Sequence, residues 1–339
     1  MISAPAKIET NIVDLCTPLL LHPDEMVQRQ AALVLMTTLG TRVFTLLRRR
    51  LSDSDARIQC EAKQALRSLE RHSGQPVDYR PFRGIHIECL GVFRVYISNH
   101  ELFPQDWAQT NSSRAGARKV QSVLAYLMHC GNRGASPEEL LAVVWENNGN
   151  HSALARTLSA LRRTIERLGG VELAESALLY TGDRYILSPA VYTSDVHMFI
   201  QSIRVAEETE NEHDLATAVP MYRNACALYS GNYMATVGIT ADDVDERRTD
   251  LLNGFLNALE RQAEHAWREG DDERCITLCR TGLKFDPSDE HLTLWLLRCL
   301  ARQRRNHEIV RAYFRYLRSS GVSPDDDDDP VVRWMHAYR

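Results

Sequence analysis

Between residues 85 and 187 the spacing of the apolar side chains changes twice, and few folds accommodate that order. Ile85, Ile87, Cys89, Val92, Phe93, Val95 and Ile97 form a run rich in β-branched and aromatic residues, interrupted by Gly91. Ser98, Asn99 and His100 then offer a turn before Leu102 and Phe103, which predicts an antiparallel β-meander. Val120, Val123, Leu124, Leu127 and Met128 follow a helical period that Gly131 stops. Ser136 caps a second helix, with Pro137 at its first position and Glu139 where a capping box needs it, running through Leu140, Leu141, Val144 and Trp145. A third helix covers 150–168, where Leu154, Leu158, Leu161, Ile165 and Leu168 make one narrow stripe that Gly169 and Gly170 close. Leu178, Leu179 and Tyr180, the turn Thr181-Gly182-Asp183, and Tyr185, Ile186 and Leu187 read as a hairpin. Sheet, three helices and hairpin is the element order of a winged helix whose third helix is left free to enter a groove.

The side of that helix opposite its apolar stripe has what groove entry requires. Small residues (Ser152, Ala155, Ser159, Ala160) permit close approach, and arginines are long enough to reach base edges or phosphates. The reading places Ser152, Arg156, Thr157, Ser159 and Arg163 toward DNA, and Arg162, Arg167 and Arg184 nearer the phosphates. Arg118 and Lys119, just before the first helix, are further phosphate candidates. A solvated amphipathic helix would carry arginines too, and helix composition alone does not separate the two.

The formal charge of −5 argues against a nucleic-acid partner until it is divided along the chain. Residues 1–81 hold 11 basic and 9 acidic side chains, residues 82–190 hold 11 and 10, and residues 191–339 hold 18 and 26. The excess acid is carboxyl-terminal, so a nearly neutral middle segment can still bind DNA if its cations converge on one face.

The flanks are helical. Asp24, Val27, Gln28, Ala31, Val34 and Leu35 recur 31 residues later as Asp55, Ile58, Gln59, Ala62, Ala65 and Leu66, each copy headed by a capping aspartate. Stacked helix pairs similar to HEAT repeats are expected over 1–75, an ordinary helical hairpin being the alternative, and 76–84 reads as a linker. After 191 the predicted helices are Leu215–Tyr229, Leu251–Glu269, Glu273–Leu283 and His291–Arg302. Ala263, Gly270, Asp272, Cys275, Ile276, Cys279, Leu283 and the pair Asp286-Pro287 follow a TPR-like pattern, which suits a partner-binding array or a bundle that holds a dimer. Asp325 to Asp329 lacks EF-hand spacing and reads as a solvated loop.

Several classes are disfavoured. The chain has no run approaching the roughly 18 apolar residues of a membrane span, and no leader pattern at its start. Eight scattered cysteines suit reduced thiols and packing, and only Cys275 and Cys279 are close, without further ligands at finger-like spacing, so no metal is expected. Gly-x-Ser-x-Gly, His-Glu-x-x-His and phosphate-loop motifs are absent, so neither catalysis nor a cofactor is indicated.

The string Arg118 to Leu127, followed by Ser136 to Trp145, Ala153-Leu154 and Leu158 to Arg163, resembles the OmpR-type winged-helix domain of SARP-type transcriptional activators. The resemblance continues through Asp195, Phe199, Leu228-Tyr229-Ser230-Gly231, Leu251 to Gly270 and Gly321 to Pro324, which look like the bacterial transcriptional activator domain that follows it in that family. A departure is Arg184 before Tyr185, where family wings show a Gly-x-Gly-Tyr turn. The implied chain is mainly α with a small β component: HEAT-like helices (1–75), an OmpR-type winged helix (85–190) and a TPR-like activator domain (191–339). The resemblance further implies a cytoplasmic, nucleoid-associated regulator, a homodimer on direct repeats or tandem half-sites of double-stranded DNA, and contact with the σ or α subunit of RNA polymerase. A regulatory protein on a TPR-like or HEAT-like face is also expected. The competing expectation is an adaptor or scaffold whose winged helix binds protein or stays masked until a partner arrives.

Overall fold

The computed structural model describes residues 4–40, 42–51, 53, 55–74, 77, 84–98, 100–107, 114–146 and 148–338, so most of the expected linker lies outside the described residues. The chain is mainly α with a small β component and divides into two compact units, Met1–Met198 with Ala227–Arg248, and Phe199–Cys226 with Thr249–Arg339.

The first unit opens with two helix pairs, α1 (Ala4–Leu20) with α2 (Glu25–Leu39) and α3 (Arg42–Arg50) with α4 (Ala56–Ser73). The 31-residue repeat is visible in their hydrogen bonds. The Asp24 carboxylate accepts from the Met26 amide and that of Asp55 from the Arg57 amide, both at 2.8 Å. The Gln28 and Gln59 amides donate back to the carbonyls of His22 and Asp53, both at 2.6 Å. Ala31, Leu35, Ala62, Ala65 and Leu66 are buried between α2 and α4, where small side chains bring the helices close.

The meander follows as β1 (Ile85–Glu88), β2 (Arg94–Ile97) and β3 (His100–Glu101), antiparallel in turn. An element that the sequence did not announce completes the sheet: β6 (Tyr192–Ser194) runs parallel to β1, giving the order β3-β2-β1-β6. Between β3 and β6 come α5 (Arg114–Cys130), a short 3-10 turn (Gly131–Arg133), α6 (Pro137–Trp145), α7 (His151–Gly169), α8 (Val171–Ala177) and the hairpin β4 (Leu178–Thr181) and β5 (Arg184–Leu187). The α6 capping box is formed, Ser136 Oγ accepting from the Glu139 amide at 3.1 Å and Glu139 from the Ser136 amide at 2.9 Å.

The motif Tyr229-Ser230-Gly231 fastens the end of β1. Ser230 Oγ donates to the Leu90 carbonyl at 2.5 Å, and a Cβ on Gly231 would come within 2.9 Å of the Gly91 Cα. Glycine is required at both positions of that contact, because Gly91 also has φ 111°.

The second unit is all helical: the greater parts of α9 (Asp195–Glu212), α10 (Leu215–Leu228) and α11 (Asp242–Arg268), then α12 (Asp272–Gly282), α13 (Glu290–Arg302), α14 (Asn306–Ser320) and α15 (Pro330–Tyr338). The predicted helices are present, though α11 begins nine residues earlier than its apolar period suggested, through the acidic turn Asp242, Asp243 and Asp245. Asp271 caps α12 and Asp289 caps α13. At Gly282 a Cβ would lie 2.3 Å from Leu292 Cδ1, so glycine allows α12 to meet α13 closely.

Candidate nucleic-acid interface

The third helix of the winged-helix order is α7, and its local chemistry fixes which side it hides. Asn150 caps it, accepting from the Ala153 amide at 2.8 Å. Leu154, Leu158, Leu161 and Ile165 are buried against α5, α6 and α8. At 100° per residue Ser152, Arg156, Ser159 and Arg163 fall within about 60° of arc on the other side, and all four are exposed together with Ala155.

The predicted residues differ in what they already hold. Arg163 has no hydrogen-bond or ion-pair partner among the described residues, and Arg156 donates only through Nε to the Ser152 carbonyl, at 3.2 Å. Arg162 donates to the Leu178 carbonyl at 3.3 Å, and Arg167 donates to the Asp106 carbonyl, although both stay exposed. Arg118 is exposed at the start of α5. Lys119 is half-buried and donates to the Val144 carbonyl with its ammonium 5.6 Å from the Trp145 ring, so it ties α5 to the end of α6.

Three expectations need correction. Thr157 does not face outward: it lies about 100° around the helix from Arg156, is 6% exposed, and returns its hydroxyl to the Ala153 carbonyl at 2.9 Å. Ala160, read as part of the outer face, is fully buried for the same angular reason. Arg184 is turned into the protein, donating to Glu139 Oε2 at 2.5 Å and to the carbonyls of Arg133 at 2.9 Å and Gly134 at 3.0 Å. Burial alone would raise the Glu139 carboxyl, but the Arg184 guanidinium and the Ser136 amide hold it below its ordinary range. Arg184 therefore fastens the hairpin rather than offering a bare cation.

The hairpin itself is better defined than the sequence suggested. Gly182 and Asp183 have φ 58° and 61°, the two positive angles of a type I′ turn, which matches the twist of the strands it joins. Ala135 exchanges hydrogen bonds with Tyr185 at 2.9 and 2.8 Å, adding a third short chain to the hairpin. Tyr180 packs on Tyr185 with ring centroids 4.7 Å apart and remains 54% exposed, an aromatic edge on the hairpin that the sequence did not announce. Glu166 was missed as well. It is exposed on the flank of the arginine face, between Ser159 and Arg162 at 100° per residue, and its helical angle would have found it.

Behind the site, Asp195 joins β6 and α9 to the end of β1. Its buried carboxylate accepts from the Cys89 amide at 2.8 Å, the Leu90 amide at 2.8 Å and the Val196 amide at 2.9 Å. Burial raises it to about 6 despite those donors. Among the described residues no group of three or more His, Cys, Asp or Glu side chains is placed to hold a metal ion, and no single helix is long and apolar enough to cross a membrane.

Residues 194–326 match the bacterial transcriptional activator domain. No curated protein matches the sequence. Among solved structures, the chain is similar to Mycobacterium tuberculosis EmbR, determined in complex with a low-affinity phosphopeptide, with a TM-score of 0.57 and 19% identity over 75% of this chain. The similarity spans 64% of the length of the EmbR chain. Behind a sheet, three helices and a hairpin, the chain is thus similar over residues 194–326 to the bacterial transcriptional activator domain, the segment in which its sequence carried that resemblance.

Proposed function

We propose that the chain is a sequence-selective DNA-binding regulator, an activator, that lays α7 in the major groove. The observation that carries this reading is the exposed strip Ser152, Arg156, Ser159 and Arg163 on a helix whose other side is fully packed. A major groove about 12 Å wide accepts one helix, and small residues between arginines let the backbone come close. Arg163 and Arg156 are assigned to base edges, and Arg162, Arg167 and Arg118 to phosphates. Lys119 and Arg184 position α5 and the wing through the contacts they make inside the protein.

The same reading organises the chain as HEAT-like pairs over 1–75, an OmpR-type winged helix over 85–190 and the activator domain from 191. It includes dimeric binding to tandem half-sites, contact with the σ or α subunit of RNA polymerase, a regulatory protein on a helical-repeat face, and work at the nucleoid in the cytoplasm. The similarity to transcription regulators supports the regulatory role. Selection of genomic fragments by the purified protein, followed by footprinting, tests it. Retention of specific fragments that the Arg156→Ala/Arg163→Ala variant releases is the expected result. Equal retention by the variant, or no selection at all, refutes it.

A further inference from the structure

The second unit carries a groove of about 490 Å³ that the DNA-binding reading does not use. Its floor is apolar, made by Leu283 after α12, Leu296 and Leu300 on α13 and Ala312 on α14. Four cations stand around it, Arg280, Lys284, Arg311 and Arg315, all exposed. The one carboxylate in its lining, Glu308, is already shared between Arg280 and Arg305, the latter at 2.6 Å. Lys284, Arg311 and Arg315 have no ion-pair partner among the described residues. Beside them on α14, Val310 and Phe314 are 42% and 52% exposed, one helical turn apart and next to Arg311.

Such a concentration of cations is unexpected where residues 191–339 hold 18 basic against 26 acidic side chains. We propose that this groove docks an acidic segment of a partner protein, with its carboxylates met by Lys284, Arg311 and Arg315 and a bulky apolar side chain laid against the exposed Val310 and Phe314 beside it, since Leu283, Leu296 and Leu300 are themselves buried. The exposed Val310 and Phe314 favour a peptide over a nucleic-acid backbone, because a phosphate chain has nothing to place on them, and the surrounding acid would repel it. The chain's own run Asp325 to Asp329 fits less well as an occupant from a second copy. Asp329 is engaged with Tyr316 and the α15 amides, Asp327 with His336, and the flanking Val331 is buried.

The test uses the full chain and a fluorescein-labelled peptide of glutamates interrupted by a single leucine, followed by fluorescence anisotropy. Saturable binding is expected, weakened about tenfold or more by Arg311→Glu/Arg315→Glu and several-fold by replacing the peptide leucine with serine. Retention of DNA binding by the same variant is expected too, which separates this site from the α7 interface, and circular dichroism establishes that the variant is folded. Absence of binding, equal binding by the charge-reversed protein, or equal binding of the serine peptide overturns the proposal. So does displacement of the peptide by duplex DNA, or a salt-sensitive dimer that Asp325→Asn/Asp326→Asn/Asp328→Asn abolishes along with peptide exclusion.

Discussion

Arg163 and Arg167 lie one helical turn apart, yet what their guanidinium groups already hold differs, and the difference is testable. If α7 reads DNA as proposed, replacing Arg163, which has no partner among the described residues, by Ala is expected to cost roughly 1–3 kcal/mol of DNA affinity and to relax preference at one base position. Arg167→Ala should weaken all sequences alike and flatten the salt dependence, because a side chain already anchored to the Asp106 carbonyl can reach a phosphate only as a point charge. Binding isotherms on matched and mismatched duplexes distinguish the two. Asp195 makes a different prediction. Its carboxyl is held at about 6 against an ordinary 3.8, so between those values the folded protein keeps a proton that the unfolded chain has released. Its contribution to stability is therefore full below the lower value and falls as pH rises through the higher one. Denaturant unfolding of the protein and of Asp195→Asn across this range should show the native protein losing ground relative to the variant as pH rises, and a constant gap would contradict the assignment. The angular position of Arg156 and Arg163 was legible in the sequence because it depends only on the helical period. The inward fate of Arg184 and Lys119 was not, because it depends on carbonyls more than twenty residues away.

Elements were legible where they carry their own punctuation. The caps Asp24, Asp55, Ser136 and Asn150 each mark a helix start, and the apolar periods between them give the length. β6 was not legible, since Tyr-Thr-Ser has little apolar pattern and becomes a strand only because β1 offers its free edge. The short α8 was hidden by the glycines that close α7. The repeated cap-and-glutamine unit of α2 and α4 predicts equal and local effects. Asp24→Ala and Asp55→Ala should each destabilise by about 1 kcal/mol. In the double variant the losses should add to within a few tenths of a kcal/mol, because the caps share no partner. Thermal unfolding of the three variants checks this, and a strongly non-additive pair would mean that the two helix starts are coupled.

For the molecule as a whole, the question that the proposed function raises is whether the amino-terminal helix pairs merely rest on the sheet and α5 to α7 or would withhold α7 from DNA. Within the first unit they dock through Arg49, 7% exposed, with its guanidinium 3.3 Å from the Tyr96 ring centroid and 3.8 Å from Glu88. Glu88 is itself met by Arg94 at 3.2 Å, so the sheet face beneath the helices carries a buried network of charge. The strip on α7 is exposed with those helices in place, which argues for support rather than masking. Arg49→Glu sets a carboxylate against Glu88 and should destabilise by about 3–5 kcal/mol, since a buried charge is left facing its like. DNA affinity of the remaining folded protein should nevertheless change by no more than about twofold, because no α7 contact passes through Arg49, and separate sites act independently. Denaturant unfolding together with gel shifts at fixed salt reads both quantities. A large gain in affinity on undocking would establish that α1 to α4 restrain the interface, and would turn these helices from a brace into a gate.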